Sequence, residues 1–208
     1  MIRVHHLEYS RSTRILWLLE ELGEPYDMVR YARDPKTRRS PDTLAAVHPL
    51  SKAPAVEIDG RTMVESGAII EYIIATRGGG KLAPTIDADR AAYLEWLHFA
   101  EGTMGMPMIL SAIAPAFGGL GDRLGGFVAG EVKKLLDYAE TCLTGRDYLV
   151  GDALTGADIN LQYLLEHAHN MGELETRPAL AAYRAHLIAR PAYVKAIEIG
   201  GPVTFARA

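Results

Sequence analysis

Apolar and polar positions alternate from Ile2 to Leu7, which is the period of a strand, and at Thr13 they switch to a helical period. Ile15, Leu16, Leu18, Leu19 and Leu22 then share one face, and Gly23 and Pro25 stop the helix. A second strand follows from Asp27 to Tyr31, so the opening is a βαβ unit with two parallel strands. Residues 33–43 are charged, contain proline and show no clear period, which predicts a loop or an irregular helix. Residues 54–58 and 61–64 flank Asp59-Gly60, a hairpin signal because both central turn positions want positive φ. Ser66 then caps a helix that places Ile69, Ile70, Ile73 and Ile74 on one face and ends at Gly78-Gly79-Gly80.

The order βαβ, loop, ββα is that of a thioredoxin-like domain, here residues 1–80. Residues 81–87, with Pro84, form a linker, and residues 88–208 are predicted to be wholly helical. Helices are expected at about 89–110, 122–143, 157–171 and 179–188, with a short one at 192–199. No internal repeat or low-complexity segment interrupts this pattern. The fold class is therefore an α/β thioredoxin-like N-terminal domain followed by an all-α C-terminal domain.

The composition narrows the function classes. With 49% hydrophobic and 23% charged residues over 208 positions, the chain has ample material for packed cores. Its formal net charge of −4 gives no basic excess for nucleic acid or anionic lipid, so neither is an expected partner. The first residues enter a strand directly, without the features of an export signal, and the lone Cys142 fits a reducing compartment as a small buried residue; the expected location is cytoplasmic. The uncharged stretch from Gly102 to Gly121 is long enough to span a bilayer. Its glycines, Pro107 and Pro115, and the absence of basic flanks favour a buried, kinked helix instead. The seven histidines are scattered, and the neighbours His5 and His6 point to opposite strand faces, so no metal site is expected.

Four local features carry the chemistry. They are Tyr9-Ser10-Arg11-Ser12-Thr13-Arg14 at the first helix, His48-Pro49-Leu50-Ser51-Lys52-Ala53-Pro54-Ala55-Val56 before the hairpin, Val64-Glu65-Ser66-Gly67-Ala68-Ile69 after it, and Tyr148-Leu149-Val150-Gly151 with Thr155-Gly156-Ala157-Asp158. In this order they resemble the cytosolic glutathione transferases, over nearly the whole chain. The resemblance implies a homodimer that takes glutathione as co-substrate, without a metal, and joins it to a small apolar electrophile in detoxification.

Ser10 lies where a strand yields to a helix, so its hydroxyl and the orphan N–H groups of that turn point at whatever binds there. A thiol near the reference pKa of ~8.5 is mostly protonated at neutral pH, whereas thiols at helix N-termini fall to about 3.5–7.5. In serine-type members the catalytic hydroxyl stands four residues before an arginine, as Ser10 does before Arg14; Ser12, Tyr9 and His5 are its rivals. No Cys-x-x-Cys occupies this turn, which removes thiol–disulfide exchange by the protein's own cysteines.

The resemblance further implies a cis Ala53–Pro54 bond that turns the Ala53 backbone toward the cysteinyl part of glutathione. It implies that Glu65 and Ser66 hold the γ-glutamyl group, and that Lys52, or less directly Arg38 or Arg39, meets the glycyl carboxylate. Thr155 and Asp158 form a capping box with a folding role. Met104 and Met108, with Tyr163 and His167 one turn apart, are candidates for the apolar second-substrate pocket, together with Met106 and Phe117; Trp96 and Phe99 are assigned to the core. Two alternatives stay open: glutathione-dependent reduction of peroxides or disulfides at the same site, and a non-catalytic binding protein of the same fold.

Overall fold

The computed structural model describes residues 1–84 and 86–205, which form two compact units. The first comprises Met1–Lys81 and Ala189–Phe205, and the second Leu82–Ile188.

In the first unit, β1 (Ile2–Leu7), α1 (Thr13–Leu22) and β2 (Tyr26–Tyr31) form the expected βαβ unit, with β1 and β2 parallel in the register Ile2 to Tyr26 through Leu7 to Tyr31. A short helix, α2 (Asp42–Ala45), interrupts the following loop. The hairpin is β3 (Ala55–Ile58) and β4 (Arg61–Met63), and both turn residues, Asp59 and Gly60, have the positive φ that such a turn demands. The sheet order is β2-β1-β3-β4, with β3 antiparallel to β1.

One sheet face receives α1, whose Ile15, Leu16, Leu18 and Leu19 are fully buried, each worth roughly 1.5–3 kcal/mol relative to exposure. It also receives α3 (Ser66–Arg77), which buries Ile69, Ile70, Ile73 and Ile74; burial, not the modest helix propensity of isoleucine, holds this helix.

The last helix, α9 (Pro191–Gly200), packs on α1, so the C-terminal segment belongs to the first unit and not to the helical one. Tyr193 meets Trp17 edge-on at 5.2 Å, and Arg190 pairs with Glu21 through two nitrogens at 2.6 and 2.8 Å.

The second unit contains α4 (Asp87–His98), α5 (Gly105–Ile113), α6 (Gly121–Leu143), α7 (Gly156–Asn170) and α8 (Pro178–Ile188). The single long helix expected at 89–110 is divided by a wide π-helical turn at Phe99–Met104. Just before it, the Leu97 carbonyl accepts from Asn160 Nδ2 at 2.8 Å, which satisfies a buried acceptor at a point where the helical hydrogen-bond register changes.

The uncharged stretch is not buried throughout: Met106 and Phe117 are each 73% exposed, because a wide turn and a 3₁₀ turn at Ala114–Phe117 rotate successive residues off the core side. No described helix is long and apolar enough to cross a membrane. Cys142 is a free thiol and half-buried, not enclosed.

Asp158 organises the start of α7. Its Oδ2 accepts from the Thr155 N–H at 2.7 Å and the Thr155 hydroxyl at 2.8 Å, while Oδ1 accepts from the Leu149 N–H at 2.9 Å and the Tyr183 hydroxyl at 2.7 Å. Burial pushes its carboxyl up and these four donors pull it back; the same burial raises the Tyr183 hydroxyl.

Candidate active site

Strand directions bring three of the four sequence features to one end of the sheet. β1 ends at Leu7 and leads into the Tyr9–Ser12 turn, while β3 starts at Ala55, opposite His5, directly after Ala53–Pro54. β4 runs antiparallel to β3, so it delivers Val64, Glu65 and Ser66 to the same end. The Ala53–Pro54 bond is cis. Tyr9, Ser51 and Glu65, all at this end, have φ of 52°, 49° and 68°. Non-glycine residues rarely adopt the left-handed region, and such conformations concentrate where a fold holds a functional site.

The turn itself is dense with polar contacts. Ser10, 5% exposed, donates its hydroxyl proton to the Leu7 carbonyl or to Ser12 Oγ, each 2.7 Å away, and accepts from the Ser12 N–H at 3.2 Å. The Thr13 and Arg14 N–H groups bond to the Ser10 and Arg11 carbonyls at 3.3 and 3.2 Å. The Ser12, Thr13 and Arg14 amides, expected to point at a ligand, are therefore engaged within the turn, which is wound with overlapping bonds to residues two or three positions earlier. The positive end of the α1 dipole still stands behind it.

Tyr9 is fixed from both sides. Arg33 donates to the Glu8 and Tyr9 carbonyls at 2.9 and 3.0 Å. The Tyr9 ring stacks on Phe205 at 4.0 Å, and the Arg38 guanidinium lies 4.3 Å over the same phenyl ring. His5, on the opposite strand face from His6, bonds to Tyr31 and Glu57 at 2.9 and 2.8 Å and is not part of the turn.

Ser66 is the first residue of α3, and Glu65 occupies the capping position in a non-extended conformation. Ser66 does not cap the helix. Its Oγ accepts from Arg14 Nη1 at 2.9 Å, so the guanidinium, itself only 2% exposed, ties the start of α3 to α1. Glu65 and Lys52 are exposed. The Ser40 hydroxyl bonds to the Ser51 carbonyl at 2.7 Å and holds the approach to Lys52 and Ala53.

The chain matches the family model for the glutathione S-transferase N-terminal domain over residues 1–75 and that for its C-terminal domain over residues 128–191. It is 31% identical to glutathione S-transferase 3 of Schizosaccharomyces pombe, over 92% of this chain and 78% of that one. The chain belongs to the glutathione S-transferase family. A solved glutathione S-transferase from Actinobacillus pleuropneumoniae superposes with a TM-score of 0.88 at 29% identity, covering 96% of this chain and 93% of that one. A sphingomonad glutathione S-transferase, solved in complex with glutathione, superposes with a TM-score of 0.80 at 29% identity, covering 96% and 98%.

Within this family member, the second-substrate candidates lie in the helical unit. Met104 and Met108 are fully buried, and Tyr163, also buried, meets His167 with ring centroids 4.8 Å apart. Trp96 is buried and Phe99 half-buried beside it, their rings 5.1 Å apart. A cavity of about 440 Å³ in the same unit is lined by residues 145–152 with Asp89 and Ala92, and by none of these candidates. Among the described residues no cluster of His, Cys, Asp and Glu is suited to a metal ion.

Two participants escaped the sequence analysis. Arg14 served there only as a marker for Ser10, yet it reaches Ser66. His6 is buried beneath the Ser10 turn with its Nδ1 2.8 Å from Ser12 Oγ. The available signal was the alternation of β1, which puts His6 on the same core-facing side as Ile2 and Val4.

Proposed function

We propose that the protein is a glutathione transferase of the serine type, which binds glutathione at the shared end of the sheet and directs its thiolate at a small apolar electrophile. The observation that carries this reading is the convergence of the Ser10 turn, the cis Ala53–Pro54 segment and the Glu65–Ser66 helix start at that end. The backbone of Ala53, at the bend directly before β3, suits pairing with a peptide as an added strand. The start of α3 suits a carboxylate, and Glu65 suits the adjoining ammonium. Lys52, exposed beside Ala53, suits the glycyl carboxylate. The sphingomonad relative solved with glutathione supports the choice of ligand.

In this reading the sulfur lies against Ser10 at the positive end of α1, which favours the thiolate over the thiol. Ser10 turns its proton from the interior to the sulfur as the charge forms. The electrophile is held by apolar residues of the helical unit, for which Met104, Met108, Tyr163 and His167 are the candidates. The working form is a two-fold homodimer in the cytoplasm.

Calorimetry with glutathione, followed by an assay with an activated aryl halide, tests the reading: binding with turnover is expected. Binding without turnover on aryl halides, peroxides or disulfides favours a non-catalytic binding protein, and no binding removes the reading. Light scattering that gives a monomer mass at micromolar concentration removes the dimer.

A further inference from the structure

Beneath the Ser10 turn, hydrogen bonds run inward to the C-terminal end of α9. His6 is fully buried, and each of its ring nitrogens has a partner: Nδ1 lies 2.8 Å from Ser12 Oγ, and Nε2 lies 2.8 Å from the Gly200 carbonyl oxygen. A carbonyl only accepts, so Nε2 carries the proton and Nδ1 keeps a lone pair. Ser12 therefore donates to Nδ1. Its oxygen in turn accepts from the Leu7 N–H at 3.2 Å and is offered the Ser10 hydroxyl at 2.7 Å. The Ser10 proton has two acceptors, Ser12 Oγ and the Leu7 carbonyl, and both lie inward.

One carbonyl at the C-terminal end of α9 thus sets the direction of the protons along the chain of side chains. The contact is close: a Cβ at Gly200 would stand 2.7 Å from Leu16 Cδ1 and 3.2 Å from His6 Cε1, so a larger residue there would displace both side chains. Burial holds His6 below the usual imidazole range, with the Gly200 carbonyl opposing and Arg30 on β2 adding to the decrease, so the neutral ring is the resting form.

We propose that His6 is a positioning residue for the thiol chemistry: by accepting the Ser12 proton it holds the Ser10 hydroxyl turned inward, so that Ser10 donates to a bound sulfur only by breaking an internal hydrogen bond. This rests on the reading of the site given above. Without the Nδ1 acceptor, Ser12 is free to donate to Ser10 Oγ, and the Ser10 proton, left with the Leu7 carbonyl as its one remaining inward acceptor of the two, turns more readily toward the sulfur. Loss of His6 therefore makes the bound thiol more acidic, the opposite of what loss of Ser10 does. A general base at His6 gives the reverse sign, and a purely structural histidine leaves the titration unmoved.

The test follows the ultraviolet absorbance of the thiolate against pH in the glutathione complexes of the wild type, His6→Leu, His6→Asn and Ser12→Ala. His6→Leu is expected to raise the acid constant of the bound thiol by about threefold or more, the effect of redirecting one hydrogen bond. Ser12→Ala removes one of two inward acceptors and shifts the titration the same way by less. His6→Asn, whose amide oxygen takes the place of Nδ1, is expected to stay within about twofold of wild type. In the ligand-free protein the ring nitrogen resonances of His6, assigned by their loss in His6→Asn, should show the Nε2–H tautomer.

A titration unmoved or shifted to higher pH in His6→Leu, or an Nδ1–H tautomer, overturns the proposal. If His6→Leu does not fold, an unmoved titration in Ser12→Ala does so. Wild-type protein that binds no glutathione overturns the reading of the site along with it, whereas bound glutathione with an unmoved titration overturns only the role of His6.

Discussion

At the start of α7 one carboxylate, Asp158, takes four hydrogen bonds from Leu149, Thr155 and Tyr183, whereas at the start of α1 Ser10, Ser12 and His6 pass theirs along a chain. Both clusters are buried and both sit at a helix N-terminus. They differ in what they allow. An ionised carboxylate can only accept, so four donors fix a single arrangement with nothing left to rotate. Hydroxyls donate and accept, so the α1 cluster can exchange one arrangement for another at the cost of a single bond. The first design suits stability, and the second suits a site that must answer a developing charge.

The contrast is tested most severely by Asp158→Ala, which leaves buried donors at Leu149, Thr155 and Tyr183 without their acceptor and should cost roughly 3–5 kcal/mol in denaturant unfolding. A loss under about 1 kcal/mol would mean that the carboxylate is replaceable and the contrast empty. Next in size, Ser66→Ala and Glu65→Ala should each weaken glutathione binding by roughly 1–3 kcal/mol in calorimetry, and unchanged affinity in both would refute that placement.

Ser10→Ala should move the pH–rate profile of conjugation to higher pH by about one unit, or about 1.36 kcal/mol, with glutathione affinity largely kept because the α1 field remains. If Tyr9→Phe moves the profile in that direction and Ser10→Ala does not, the thiol-facing role passes to Tyr9. Tyr183→Phe removes one of the four donors to Asp158 and should lower stability by about 1 kcal/mol.

The smallest effect is the pH dependence that His6 adds. Its folded pKa is lowered, so between that value and the unfolded value of about 6.5 the unfolded chain binds more protons. The stability due to the neutral ring is complete above about pH 6.5 and is lost as the pH falls from there toward the folded value. Melting temperatures compared at pH ~7.5 and ~5.5 should fall more in the wild type than in His6→Asn; equal slopes would remove this contribution.

Features encoded within a few residues were legible in the sequence. The Asp59-Gly60 turn, the α1 face and the Thr155–Asp158 box each depend on neighbours in the chain, and each formed as its pattern predicts. What stayed hidden depends on partners far apart. Ser66 has the composition of a cap, but a guanidinium 52 positions earlier takes its hydroxyl as acceptor, and Glu65 stands at the cap instead. At the wide turn of Phe99–Met104, Gly102 and Pro107 announce a break, but the α7 side chain that donates to the Leu97 carbonyl beside it is 63 positions away. A histidine on the core-facing side of β1 announced a buried polar contact, but its partner at Gly200 is 194 positions away.

The return of α9 to the first unit also sets an order of events on the ribosome. When residues 1–81 have emerged, α1 still lacks Tyr193 against Trp17, and His6 has no carbonyl for its Nε2 proton. Both arrive only after the whole helical unit has been translated. Until then the face of α1 that α9 covers is a sticky surface on a nascent chain, and the hydrogen bonds of the Ser10 turn have no fixed proton arrangement. Completion of the first unit is thus timed by synthesis of the segment that follows the second.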